Sequence, residues 1–306
     1  MSIVRRAAAA LYDQPVLLLV LTTFFWGCNA IAGQLAAGEI TPMQHVFLRW
    51  VLVTAMVWPF FGADAMAALP AVRSRLAAIV AMAVIGFTGF NILFYIASTH
   101  TTALNVGILQ GSIPVFVILG GMLVHQARVG VLQAVGILLT LMGVVAVATR
   151  GDPAAALFVG MNIGDMIMLL ACGLYAIYIL LLKTRPPMSG AVFFTLMCPI
   201  AALTSLPPVA IEAWMLAGPD YPWPTPKGLA IAVFVAIFPG LLAQQFFLRG
   251  VDLIGPSRAG VFTNLVPVFA SLLAVLVLGQ TFAVYHVIGL LLVLSGIALA
   301  QRAPAS

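Results

Sequence analysis

Residues 103–116 read ALNVGILQGSIPVF, and residues 256–269 read PSRAGVFTNLVPVF. A shift of 153 residues places Gly107 on Gly260 and aligns the letters IPVF with VPVF. In both runs a proline follows the glycine by seven residues. Self-similarity at a fixed distance is the sequence signature of an internal repeat. The sequence therefore predicts that the chain is built from two copies of one structural unit.

The composition of the chain indicates the environment in which it folds. Apolar residues make up 63% of the 306 residues, charged residues only 7%, and the mean hydropathy is +1.17. A soluble domain carries roughly 25% charged residues, so this chain cannot form a water-facing surface. Its Lys and Arg residues are scattered singly between apolar runs, without a basic patch, so we expect no nucleic-acid binding. The expected environment is a lipid bilayer.

Apolar segments long enough to cross a bilayer, about 20 residues each, recur along the whole chain. There are ten of them, at residues 14–37, 41–61, 76–98, 102–124, 129–149, 162–182, 189–211, 227–249, 257–279 and 283–302. We predict an all-α integral membrane protein of ten transmembrane helices. The two longer loops are 150–161 and 212–226, and the prolines of the second should keep it non-helical, namely Pro219, Pro222, Pro224 and Pro226.

The repeat extends beyond the two quoted runs. The same shift pairs Asn91 with Gln244, Phe94 with Phe247, Pro114 with Pro267, Gly136 with Gly289 and Gly143 with Gly296. Because each copy holds an odd number of helices, the second copy must lie inverted in the membrane relative to the first. Inverted repeats are typical of secondary transporters, whose site lies near the midplane between the halves. We predict residues 1–149 as the first five-helix repeat, 150–161 as an external connecting loop and 162–306 as the second, inverted repeat.

Lysine and arginine placement predicts the orientation of the helices. With the N-terminus in the cytoplasm, the external loops hold only Arg150 and Lys227, and the cytoplasmic segments hold Arg5, Arg6, Arg73, Arg75, Arg128, Lys183, Arg185, Arg249, Arg258 and Arg302. We therefore expect a multi-pass protein of the bacterial inner (plasma) membrane with both termini cytoplasmic. The first apolar run shows no obvious cleavage site, so we expect it to be retained as helix 1.

The paired prolines, Pro114 and Pro267, lie near the middle of their spans. Each removes a backbone N–H and frees the carbonyl four residues earlier, that of Gln110 or Thr263. One interpretation is that helices 4 and 9 bend around a transport site and flex there as hinges. The other is a packing kink satisfied by a neighbouring side chain.

Uncharged polar side chains lie within the predicted spans, at Asn29, Asn91, Gln110, Gln244, Gln245 and Asn264. Polar groups at that depth cost free energy unless paired, so they usually face the bundle interior. Each is either an interhelical contact or a ligand for substrate. As a set that lines a cavity, they would suit a zwitterionic or polar molecule.

Arg49 is the one charged side chain deep within a predicted span, and His45 lies one turn away on the same face. An intramembrane cation is a functional hypothesis by default. These two residues either bind a substrate carboxylate or have a structural role, with Arg49 capping backbone carbonyls or extending toward the interface.

Aromatic and glycine residues form two further sets. The aromatic residues could form stacking walls or face lipid, and they are Trp26, Phe90, Tyr95, Tyr175, Tyr178, Phe246 and Phe247. Trp26 and Tyr178 are the better candidates, being inside their spans and polar-tipped. The glycines recur at seven residues, which favours close packing of helices 5 and 10, and they are Gly136, Gly143, Gly289 and Gly296.

Several chemistries lack their motifs. No carboxylate lies deep in a predicted span, so we do not expect tight proton coupling unless a histidine provides it. No Walker motif, HExxH or nucleophile elbow is present, and Cys28, Cys172 and Cys198 lack metal or disulfide spacing. We therefore predict no enzymatic activity, no cofactor and no metal. An integral membrane enzyme acting on lipid is a minor alternative.

The whole chain resembles the EamA type of the drug/metabolite transporter superfamily. The residues that carry the resemblance are Phe25-Trp26-Gly27 with Asn29, Leu48-Arg49-Trp50, the run Ala103 to Pro114 with its copy Gly255 to Pro267, and the paired glycines of helices 5 and 10. Many relatives end helices 4 and 9 with an acidic residue, where this chain has Gln126 and Gln280. Among members, it is most similar to the bacterial aromatic amino acid exporters (the YddG type).

The resemblance and the polar residues together predict a transporter. We expect it to export or facilitate passage of small metabolites, aromatic amino acids in particular, by alternating access around a cavity lined by helices 1, 3, 4, 6, 8 and 9. A carrier of another neutral or drug-like metabolite is the alternative, and we expect a monomer or a weak homodimer. The predicted substrate-binding residues are Trp26, Asn29, Asn91, Tyr95, Gln110, Tyr175, Tyr178, Gln244 and Asn264.

Overall fold

The computed structural model describes residues 13–125, 130–152, 162–218 and 221–302, and within these ranges the regular elements are helices, with no strand. Helices α1, α2, α5, α6, α7 and α10 are Pro15–Ala36, Pro42–Val72, Val131–Ala148, Ile163–Leu181, Gly190–Met215 and Val284–Arg302. The other four are segmented: α3 (Leu76–Ala83, Val84–Gly89, Phe90–His100), α4 (Ala103–Gln110, Ile113–His125), α8 (Pro226–Val235, Ala236–Leu242, Ala243–Ile254) and α9 (Pro256–Phe262, Leu265–Leu278).

The longest apolar segment in the described part of the chain contains two crossings. Pro42–His100 is 59 residues long, which as one straight helix would measure about 90 Å, three times the hydrocarbon core. A 3₁₀ turn at Arg73–Arg75 reverses the chain. The two crossings are in contact, because the ring of His45 in α2 stacks on that of Tyr95 in α3 with 4.1 Å between centroids. The other eight apolar segments bring the described helices to ten, as predicted.

One predicted boundary, the end of helix 2 at residue 61, is wrong. The helix continues to Val72 through the sequence GADAMAALPAV. Alanine contributes little hydropathy, so this stretch is weak as an apolar signal. Alanine is nevertheless the best helix former, and the backbone remains helical until the turn.

The predicted loop 212–226 is shorter than expected. Helix α7 continues to Met215, and Pro226 is the first residue of α8, capped by the hydroxyl of Thr225. A proline fits the first turn of a helix because the N–H that it lacks would have no partner there. Pro219 lies outside the described residues, as does most of the predicted loop 150–161.

Local irregularities recur at equivalent places in the two halves. A π-helical segment interrupts α3 at Val84–Gly89 and α8 at Ala236–Leu242. The helical hydrogen bonding of α4 breaks after Gln110, and that of α9 breaks after Phe262. These features follow the offset of the sequence repeat to within one residue, which supports the two-repeat organisation. One continuous cluster of buried apolar side chains, reaching from Ala30 to Ile297, joins the halves.

Helices α5 and α10, the last of each half, pack with their backbones in contact. A Cβ atom on Gly136 would lie 2.5 Å from the carbonyl oxygen of Gly296, and one on Gly143 would lie 2.8 Å from that of Gly289. Only glycine permits this approach, so the predicted packing role of the four glycines is confirmed.

The two faces of the bundle are named here by the chain ends. The termini face is where α1 begins and α10 ends, and the opposite face is where α1 ends and α10 begins. Helix α6 begins at the opposite face, because Gly164 packs against the backbone of His100 and Thr101 at the end of α3.

Candidate functional site

A cavity of about 480 Å³ lies between the two halves of the bundle. This volume suits a small-molecule ligand. Its lining includes Trp26, Asn29, Arg49, Trp50, Gly86, Phe87, Phe90, Asn91, Gln110, Pro114, Tyr175, Tyr178, Phe194, Gly240, Gln244, Phe247, Thr263, Asn264, Pro267 and Gln301. Repeat partners lie in it together, for example Asn91 with Gln244 and Pro114 with Pro267.

A polar cluster around Arg49 forms one wall of the cavity. Arg49 is 7% exposed, and its Nη1 donates to Asn29 Oδ1 (3.2 Å), Asn91 Oδ1 (3.0 Å) and the hydroxyl of Tyr95 (2.9 Å). The Tyr95 hydroxyl in turn donates to Asn29 Oδ1 at 2.9 Å. Three helices, α1, α2 and α3, therefore converge on one guanidinium. All these acceptors are uncharged, and Nε has no hydrogen-bond partner among the described residues.

The π-helical segment of α3 organises this cluster. The carbonyl of Phe87, within that segment, accepts hydrogen bonds from Asn91 Nδ2 at 2.6 Å and from Trp50 Nε1 at 3.2 Å. These contacts hold Asn91 with its Oδ1 toward Arg49 and hold the Trp50 indole against the Phe87 ring. Single π turns within α-helices are frequent at functional sites because they redirect carbonyls and side chains.

Aromatic rings form a continuous second wall. Trp50 stacks on Phe87 with 4.4 Å between centroids, Phe87 meets Tyr178 at 5.8 Å, and Tyr178 meets Tyr175 at 5.3 Å. Phe90 closes the chain against Tyr175 at 4.7 Å. All five rings line the cavity. A planar apolar body could stack along this wall while its polar end reached Arg49.

The breaks in α4 and α9 bring further polar atoms to the cavity. The break in α4 precedes Pro114, and the break in α9 precedes Pro267. In α9 the carbonyl of Thr263, which cannot pair with Pro267, accepts from Val266 N at 3.1 Å. Gln110 Nε2 and Asn264 Oδ1 are buried without a hydrogen-bond partner among the described residues. These two atoms are therefore uncommitted within the described residues, whereas Asn264 Nδ2 donates to Gln301 Oε1 at 3.2 Å.

The structure brings most of the predicted site residues together. The lining contains Trp26, Asn29, Asn91, Gln110, Tyr175, Tyr178, Gln244 and Asn264, with the predicted hinges Pro114 and Pro267 and the cation Arg49. Tyr95 lies behind the wall and reaches the site through its hydrogen bonds. His45 is buried beneath Tyr95 rather than in the lining, and Gln245 and Phe246 also lie outside it.

Several lining residues were not predicted. Phe87 lies one turn before Asn91, so the shared helix face was an available signal. Phe194 in α7 and Gln301 in α10 carry no such signal. The prediction that six helices line the cavity is therefore incomplete, because α2, α7 and α10 contribute as well.

Hydrogen bonds join the two halves at the opposite face. Thr41 donates to the carboxylate of Glu212, and Gln44 Nε2 donates to the Tyr221 hydroxyl at 2.9 Å. Lys227 pairs with Glu39 at 3.0 Å. Hydrogen bonds from the Thr225 hydroxyl and the Lys227 ammonium hold the pKa of the Glu39 carboxyl below its ordinary value.

A second set of contacts closes the same face around Asp165, which is 0% exposed. Its carboxylate accepts from Thr101 Oγ1 at 2.6 Å and from Asn105 Nδ2 at 3.1 and 3.0 Å. Asn105 Oδ1 lies 3.1 Å from His286 Nε2 in α10. Gln280 Oε1, beyond the end of α9, accepts from Leu104 N in α4 at 3.0 Å. Helices of both halves are thus tied at this face.

The cavity extends toward the termini face. An adjoining cavity of about 360 Å³ shares Phe87, Tyr178 and Phe194 with the main one, and it reaches Arg185 and Val251 at the ends of α6 and α8. Among the described residues, the halves are therefore in contact at the opposite face, and the adjoining cavity reaches toward the termini face.

Comparisons with known proteins agree with this architecture. The EamA-like transporter family matches residues 14–149 and again residues 162–301. The "Uncharacterized transporter YyaM" of Bacillus subtilis (strain 168) is 23% identical over 290 residues, 92% of this chain and 91% of that protein. The "Uncharacterized inner membrane transporter YicL" of Salmonella typhimurium is 24% identical over 302 residues, 93% of this chain and 94% of that protein. A solved crystal structure shares the fold, with a TM-score of 0.59 and 16% identity over 94% of this chain and 96% of its own. Because the family matches both halves, the chain belongs to the EamA-like transporter family.

Proposed function

We propose that this transporter carries small amphipathic metabolites with a carboxylate and a flat apolar body, and that aromatic amino acids are among them. The single observation that carries this proposal is the pairing, in one cavity, of the Arg49 cluster with the aromatic wall from Trp50 to Phe90. Arginine binds carboxylates through a planar fork of N–H donors, and ring faces stack on aromatic walls. Phenylalanine, tyrosine and tryptophan combine both groups.

Transport follows from alternating access at this cavity. In the described state the halves meet at the opposite face, through Asp165 with Thr101 and Asn105 and through Glu39 with Lys227. Access from the opposite face requires these contacts to break and new contacts to form at the termini face. The helix breaks before Pro114 and Pro267 lie in the cavity wall, where such bending would reshape the site.

The direction of transport is part of the proposal. The excess of Lys and Arg on the termini face supports a cytoplasmic location of that face in a bacterial inner membrane. The adjoining cavity extends toward that face, as expected of a site that loads a cytoplasmic metabolite, which supports export or facilitated exit.

Reconstitution tests the proposed function. The purified protein in liposomes should take up labelled phenylalanine, tyrosine and tryptophan with saturation, and each unlabelled compound should compete with the others. Protein-free liposomes provide the background rate. If these amino acids neither enter nor compete, the assignment to aromatic amino acids is wrong.

A neutral, drug-like metabolite is the second candidate. Apolar side chains make up most of the cavity surface, and the aromatic wall would bind such a molecule without help from Arg49. An uptake screen with the Arg49→Gln variant separates the two, since transport of a neutral compound should survive this substitution.

A further inference from the structure

We infer that the cavity recognises a net negative charge, so that the substrate needs its carboxylate and does not need an ammonium group. This inference rests on the proposed function and narrows its substrate class. The expected ligands of the site are therefore aromatic monocarboxylates in general, and not only zwitterionic amino acids.

The charge of the described cavity wall comes from one residue. Among the described residues that line the main cavity, Arg49 carries a charge and the others do not, so the lining contains no Asp or Glu. A guanidinium remains protonated in proteins. The salt bridges found in the described chain join other residues, Lys227 with Glu39 and Arg249 with Asp13. A buried cation without a counter-ion is costly, and an anionic ligand would remove that cost.

The described contacts of the guanidinium are all to uncharged groups. Its Nη1 is surrounded by the three oxygens of Asn29, Asn91 and Tyr95. Its Nε is buried without a hydrogen-bond partner among the described residues. Gly240, in the π-helical segment of α8, lies beside it, because a Cβ atom there would be 3.7 Å from Nε. A Cβ atom there would also lie 2.9 Å from the carbonyl oxygen of Val235 and 3.0 Å from Val53 Cγ2. Backbone and side-chain carbon therefore pack closely around this part of Arg49 and supply no negative charge to it.

The adjoining cavity, through which a ligand would approach, also carries positive charge. The adjoining cavity toward the termini face has Arg185 as the charged residue in its lining, again without Asp or Glu. An anion entering from that face would meet two guanidinium groups in sequence, whereas an ammonium group held close to Arg49 would be repelled. The amide oxygen of Asn264 could accept from an ammonium, but it supplies no charge.

Three compounds with one skeleton separate these requirements: phenylalanine, 3-phenylpropanoate, which lacks the ammonium, and phenethylamine, which lacks the carboxylate. We would measure the rise in thermal midpoint that each causes in the purified protein, and its inhibition of labelled phenylalanine uptake. We expect 3-phenylpropanoate to bind at least as well as phenylalanine, and phenethylamine about tenfold or more weakly, because hydrogen bonds to charged groups contribute roughly 1.5–3 kcal/mol.

Variants of Arg49 tie the preference to this residue. Arg49→Gln should abolish the advantage of 3-phenylpropanoate over phenethylamine, and Arg49→Lys, which keeps the charge but lacks the fork, should restore part of it. Arg73→Gln, an exposed position in the α2–α3 turn, is the matched control and should behave as the unmodified protein. The midpoint without ligand shows whether each variant is folded.

The outcomes distinguish this inference from the proposed function. If phenylalanine is transported and phenethylamine competes as well as 3-phenylpropanoate, the charge preference is wrong and the transport proposal stands. If 3-phenylpropanoate stabilises the protein while phenylalanine is not transported, the anion site stands and the amino acid assignment is wrong. If none of the three compounds raises the midpoint, the inference is overturned.

Discussion

Arg49 Nη1 lies 2.9 Å from the hydroxyl oxygen of Tyr95, and this contact joins α2 to α3 within the cavity wall. The same hydroxyl donates to Asn29 Oδ1 in α1. The guanidinium is therefore held in one position by neighbours that are themselves hydrogen-bonded, and the ring of His45 supports Tyr95 from behind. Under the proposed function, a substrate would meet an arginine whose geometry is already set, which would lower the ordering cost of binding.

Removing the Tyr95 hydroxyl should weaken this arrangement without removing the charge. In Tyr95→Phe, Arg49 and Asn29 each lose one hydrogen bond, and a net hydrogen bond contributes roughly 0.5–1.5 kcal/mol. We expect KM for a carboxylate substrate to rise about two- to tenfold in a liposome uptake assay. Tyr285→Phe, which keeps its ring against His286 outside the cavity, is the control. An unchanged KM in Tyr95→Phe would show that Tyr95 does not position Arg49.

Gly86 provides the space that the Tyr178 ring occupies. A Cβ atom at Gly86 would lie 2.3 Å from Cγ of that ring, so Gly86→Ala must displace the aromatic wall. Overpacking of this kind costs about 1–3 kcal/mol. We expect a lower thermal midpoint and weaker binding of aromatic substrates. Gly173→Ala, also within the bundle, is the matched control because its Cβ would meet open space. Equal behaviour of the two variants would contradict the fit of Tyr178 on Gly86.

Fixing the opposite face should stop transport. Thr41 and Glu212 are hydrogen-bonded across the two halves, so cysteines at both positions would be close enough for a short bismaleimide. The native thiols Cys28, Cys172 and Cys198 would first be replaced by alanine, and that background must itself transport. We expect the cross-linked double variant to lose net transport and each single variant, treated identically, to retain it. Transport by the cross-linked protein would show that this face does not need to open.

Asp165 and Asn105 should be energetically coupled. Asp165→Ala removes the carboxylate that accepts from Thr101 and Asn105, and Asn105→Ala removes the donor to both carboxylate oxygens. Hydrogen bonds to a charged group contribute roughly 1.5–3 kcal/mol, so the loss in the double variant should be smaller than the sum of the single losses by about that amount. Thermal or denaturant unfolding of the four proteins in detergent measures this. Additive losses would mean that the contact contributes little to closing the face.

The sequence predicted features that depend on local composition and on the repeat. The apolar runs fix the helices, and the shift that aligns Pro114 with Pro267 anticipated that both would lie in one cavity. Asn91 and Gln244 were identifiable because a polar amide within an apolar span must face protein or ligand. These inferences need no knowledge of which helices touch.

Other features depend on tertiary packing. Phe194 lies in an apolar helix among many similar residues, and only the position of α7 beside the cavity distinguishes it. The π-helical turns at Val84–Gly89 and Ala236–Leu242 have no pattern of their own in the sequence, since glycine and proline occur in many helices here. Arg49 is hydrogen-bonded through Nη1 and not through Nε, and this likewise depends on where Asn29 and Tyr95 lie in space.

The glycine contacts between α5 and α10 have a mechanical consequence. Each half contributes its last helix to a pair whose backbones touch, and separating them would open a gap that no side chain can fill. The two halves therefore cannot separate as two independent rigid bodies. Under the proposed alternating access, motion would instead come from flexing of the other helices around this fixed helix pair, at the broken and π-helical turns of α3, α4, α8 and α9. The barrier between access states would then be set by the stiffness of these few turns more than by the area of surface that the halves share.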